Sequence, residues 1–72
     1  MRSHWHLINE SGWTCVFFNH EKVKQLRRQE AYFEFFESEH IRNRYAIFSV
    51  SHGYDFLFED DAGATEFALR FT

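Results

Sequence analysis

His4 and His6, separated by Trp5, would project from the same face of an extended strand, roughly 7 Å apart. That spacing suits two ligands of one Zn²⁺ or Ni²⁺, with His20, His40, His52 or Cys15 as candidate further ligands. Such a site needs distant residues to converge, and no C-x-x-C or H-E-x-x-H spacing marks it. A half-exposed strand with histidines on its solvent side explains the pair without a metal. Neither a metal nor another cofactor is expected. Cys15, between Thr14 and Val16, reads as a small hydrophobe in an apolar strand. A nucleophilic thiol needs a positive neighbour, and His20 lies past the strand end at an odd separation. As the single cysteine it has no disulfide partner, which excludes a disulfide-stapled secreted miniprotein.

The basic residues are more concentrated. Lys22, Lys24, Arg27 and Arg28 place four positive charges within seven residues, and Arg42 and Arg44 follow. On a helix Lys24, Arg27 and Arg28 lie close to one face, a patch able to sit over a phosphate backbone. Tyr32 and Phe35 nearby could stack on unpaired bases. Against this stand a net charge of −3 and the run Glu30, Glu34, Glu37 and Glu39, with Glu30 spaced to pair with Arg27. Nucleic-acid binding through these six basic residues is therefore the alternative expectation. Asp55, Glu59, Asp60, Asp61 and Glu66 make the last third acidic, and capping of a helix by Asp60 or Asp61 accounts for that pair. No phosphate loop, nucleotide fingerprint, calcium loop or Ser-His-Asp order is present. An enzyme is not expected.

The elements that position these residues follow from periodicity. Residues 3–8 alternate, residues 13–18 are rich in β-branched and aromatic types, and Asn9-Glu10-Ser11-Gly12 makes a turn between them, so a first β-hairpin is predicted. Residues 45–50 and 54–58 form a second hairpin across Ser51-His52-Gly53, where Gly53 can supply a positive φ. Tyr54, Phe56 and Phe58 share the face to be buried. Asn19 caps a segment of good helix formers, and one long helix over about residues 20 to 38 is predicted, with Tyr32-Phe33-Glu34-Phe35-Phe36 as the stretch that could be strand instead. Its stripe is Val23, Leu26, Glu30, Phe33 and Phe36 or Glu37. A second helix carries Ala64, Phe67, Ala68 and Phe71 at i, i+3, i+4 and i+7. The order β-β-α-β-β-α predicts an α+β two-layer sandwich: a four-stranded antiparallel sheet with two helices on one face and the other face bare to water.

Residues 1–72 are one small domain with no room for a second core. Fifteen aromatics stand against only ten Leu, Ile and Val. A chain this short buries only about 60% of the surface its unfolded form exposes. Rings that cannot be hidden leave apolar patches, and such patches mark interaction sites. The composition therefore points to a non-enzymatic protein-binding module, with Trp5, Trp13, Tyr32 and Phe35 as contact residues and self-association into a homodimer expected through an open sheet face or edge. The longest uncharged apolar runs, five or six residues, are too short for a bilayer, and Met1 to His6 lead into no targeting segment. A cytoplasmic, membrane-free location is expected.

The stretch from Phe56 to Phe71, in which an aromatic strand runs through Glu59-Asp60-Asp61 into a short helix with Ala and Phe at helical spacing, resembles small accessory proteins of tailed bacteriophages. The resemblance covers about sixteen residues and carries over no catalytic residue. It implies a viral protein of the host cytoplasm that inhibits or redirects a host factor as an adaptor, or takes a minor place in the virion.

Overall fold

A computed structural model describes residues 11–72. Its elements in chain order are β1 (Thr14–Asn19), α1 (His20–Leu26), α2 (Glu30–Glu37), β2 (Tyr45–Val50), β3 (Gly53–Phe58) and α3 (Asp61–Arg70). The strands form one antiparallel sheet in the order β1-β3-β2. Thr14 stands opposite Phe58, and Tyr45 stands opposite Phe58 from the other side. The α+β class holds, but the predicted architecture of four strands and two helices is wrong: the described residues make three strands and three helices. The predicted strand over residues 3–8 lies outside the described residues. The predicted partner of that strand is β1, which pairs with the late strand β3.

The long helix predicted over residues 20–38 is in fact two, and the reason is geometric. At about 100° per residue, a single helix would turn Tyr32, Phe35 and Phe36 to the side opposite Val23 and Leu26. All five are buried. No straight helix can bury both groups against one sheet, so burial overrides the favourable propensity of the intervening residues. The chain breaks at Arg27, Arg28 and Gln29, with Gln29 extended at φ −106° and ψ 132°. Tight backbone bonds from Arg28 N to the Gln25 carbonyl and from Gln29 N to the Leu26 carbonyl close α1. Residues 31–37 are helical, which settles the aromatic stretch against a strand.

Local signals did place the other ends. The Asn19 side chain accepts from Lys22 N at 2.8 Å and starts α1, and Asp60 accepts from Gly63 N at 2.8 Å and starts α3. Ser51 and His52 alone separate the paired residues Val50 and Gly53. Gly53 is not at positive φ, contrary to expectation. It is needed instead because an added Cβ would lie 2.2 Å from the Phe18 carbonyl oxygen on β1.

Phe56 and Phe58 on β3, with Val16, Phe18, Tyr45 and Tyr54 beside them, face the helices. Phe67 of α3 is fully buried at the centre, its ring 4.8 Å from that of Phe56 and 5.2 Å from those of Phe35 and Phe58. The core is thus built mainly of rings. The opposite sheet face carries Cys15, Phe17, Asp55, Leu57, Ala46 and Phe48. Leu57 there has no exposure at all, so the expectation that this face lies bare fails at its centre.

A candidate binding groove

α1 and α3 both pack on β1 and β3, whereas β2 lies at the sheet's far side among the described residues. Among the described elements, α2 supplies the ring that covers the helix-facing side of β2. Phe36 of α2 reaches Tyr45, with ring centroids 4.6 Å apart, and Ile47, the next residue on that face, stays 41% exposed. Across from it Phe33 of α2 is 49% exposed. Between them an open hollow of about 300 Å³ is floored by Tyr32, Phe36 and Phe56 and bounded by Tyr45, Ile47, Tyr54 and Phe33. Arg27 and Val23 complete the lining at the α1 end.

A second hollow, of about 290 Å³, adjoins the first through shared residues Val23, Arg27 and Tyr54. It adds His20 and Lys24, with the His20 ring edge-on to Tyr54 at 5.4 Å. Among the described residues, no acid lines either hollow. The two together form a trough, apolar at the α2–β2 end and basic at the α1 end. Burial raises the Tyr32 hydroxyl above the ordinary tyrosine pKa, and the nearby Arg27 charge opposes that rise while Tyr45 and Tyr54 add to it.

The expected contact residues are distributed differently. Tyr32 and Phe35 are core side chains, 6% and 1% exposed. Tyr32 still forms part of the groove floor; Phe35 does not reach it. Trp13 is half-buried ahead of β1, and Trp5 lies outside the described residues. Phe33 and Ile47 were the residues that composition alone did not single out. Phe33 could have been found by noticing that the apolar residues of 20–38 fall in two phases, which leaves Phe33 outside the second.

The six basic residues do not form one patch. His20 N donates to the His52 carbonyl, which ties the start of α1 to the β2–β3 turn, and Glu59 N donates to the Arg44 carbonyl at the other end of the sheet. Strands of six residues separate these ends by about 17 Å. Lys22 lies over the Phe18 ring, 5.9 Å from its centroid. Lys24 and Arg27 meet at the trough, while Arg42 and Arg44 sit in the segment before β2. The predicted Arg27–Glu30 pair is not among the ion pairs of the described residues.

Partial burial, then the Asp55 carboxylate and its hydrogen bond, push the Cys15 thiol up to about 11, away from a reactive thiolate. His40 Nε2 lies 2.9 Å from Glu66 Oε1, and Arg70 reaches the other oxygen of Glu66 at 3.5 Å. No cluster of three or more His, Cys, Asp or Glu able to hold a metal occurs among the described residues; His4 and His6 lie outside them. No helix among the described residues is long and apolar enough to cross a membrane. Comparison with protein-family models, curated proteins and solved structures found no match to this chain.

Proposed function

We propose that this domain is a non-enzymatic protein-binding module whose contact surface is the trough between α2 and β2. One observation carries the reading. Two of the four large hydrophobic residues exposed among the described residues, Phe33 and Ile47, flank the same apolar hollow. A small aromatic-rich domain that hides most of its rings but leaves two apolar residues around one concavity presents a place for a partner's side chains. The volume, about 300 Å³, is at the lower limit of pockets that enclose a drug-sized molecule, and it suits one or two side chains of a larger partner.

The test is selection of displayed random peptides on the wild-type chain, followed by depletion on Ile47→Lys and Phe33→Glu variants. Both positions are about half exposed, and circular dichroism of each variant checks that the fold is kept. Sequences that bind wild type and fail on both variants support the reading. Binders indifferent to both substitutions, or no enrichment at all, overturn it.

A further inference from the structure

We infer that the trough takes a peptide segment in which a large apolar side chain is followed closely by a carboxylate. The inference rests on the protein-binding reading above and specifies the partner's chemistry. The apolar half, between Phe33 and Ile47, removes a hydrocarbon or ring from water. The other half presents Lys24 and Arg27, with His20 beside them and no acid among the described lining residues. Among the described residues no carboxylate lies within ion-pair distance of Lys24 or Arg27. The described acids line neither hollow: Glu66 is engaged with His40 and Arg70, Glu30, Glu34 and Glu37 are exposed on α2, and Glu21, exposed on α1, is not in ion-pair contact with Lys24.

Arg27 borders both hollows, so a carboxylate received there would sit next to the apolar side chain and not at a distance along the partner. An arginine fork can take both oxygens of a carboxylate at once. Charge complementarity therefore selects an acidic peptide over a neutral or basic one. It also disfavours a nucleic acid, whose backbone would meet only part of a basic set that the fold divides between two ends of the sheet.

The experiment uses the peptides selected on the whole chain, titrated by fluorescence anisotropy against wild type, Lys24→Glu/Arg27→Glu, Arg27→Gln and Ile47→Lys. The expected sequences carry Asp or Glu within three positions of Phe, Leu, Ile or Trp. The double charge reversal should weaken them at least tenfold, Arg27→Gln less, and rising salt should weaken wild-type binding progressively. Peptides that need Ile47 but are neutral or basic, or that tolerate the charge reversal, overturn this inference and leave the protein-binding reading standing. Absence of any Ile47-dependent peptide overturns both. A wild-type chain found by light scattering to dimerise through the trough, with Phe33→Glu monomeric, identifies a second copy as the occupant and also overturns the inference.

Discussion

Gly53 of β3 lies so close to the Phe18 carbonyl of β1 that a methyl group on Gly53 would stand 2.2 Å from that oxygen and 2.6 Å from the Cα of Asn19, its partner in the sheet. Both obstructions are backbone, which no rotamer change can move. Gly53→Ala must therefore part the two strands at the end where α1 begins. Its expected cost is about 3 kcal/mol, the upper range for forcing atoms into a filled site. A urea midpoint unchanged from wild type would show that the strands accept the methyl.

The ring cluster makes its own prediction. Phe67 is wholly buried and touches rings from α2, β3 and Phe71 just past the end of its own helix. Phe67→Ala should cost about 3–5 kcal/mol. A domain of this length has a total stability of roughly 4–11 kcal/mol at 0.05–0.15 kcal/mol per residue, so the variant should be largely unfolded at 37 °C or close to it. Phe67→Leu, which refills most of the space, should retain cooperative thermal melting by circular dichroism.

The two capped helices can be compared within one molecule. Asn19→Ala and Asp60→Ala each remove an acceptor from a first-turn N–H, and each should cost about 0.5–2 kcal/mol. Asp60→Asn keeps the acceptor and should recover most of the loss. Equal melting temperatures for Asp60→Ala and wild type would mean that solvent replaces the cap without penalty.

Cys15 gives a pH dependence of defined sign. Its thiol ionises at 9.0 when unperturbed and at about 11 in the folded chain. The unfolded chain thus loses the proton first, so this group's contribution to stability is intact below pH 9 and declines as pH rises toward 11. Alkylation by iodoacetamide under native conditions should stay slow at neutral pH and accelerate only over that interval. Asp55→Asn removes the neighbouring charge and should bring the acceleration to lower pH. Fast labelling of the wild type at neutral pH would contradict the arrangement.

The parts of the fold that were readable had local signals. Asn19 and Asp60 cap helices whose first turns follow immediately, the β2–β3 hairpin is closed by a two-residue turn, and Tyr54, Phe56 and Phe58 alternate onto the helix side as their spacing requires. The break at Arg27 to Gln29 was obscured because no proline or glycine marks it; it exists only because two apolar stripes of different phase must reach one sheet. The pairing of β1 with β3 was hidden for a related reason, since Thr14 and Phe58 are chosen for each other by the whole packing and not by any nearby turn. The trough was the least legible feature. Tyr32 and Phe35 look as available as Phe33 in composition, and only the helix phase separates the two buried rings from the exposed one.

The placement of β3 between β1 and β2 has a consequence for biosynthesis. The ribosome completes β1, α1, α2 and β2 before it makes the strand that joins the two sides of the sheet. Until Phe58 emerges, the apolar faces of the earlier elements have no common floor, and Phe67 follows later still to fill the space above them. Native assembly of this domain during synthesis consequently waits for β3 and Phe67, after the aromatic faces of the earlier elements have already been made.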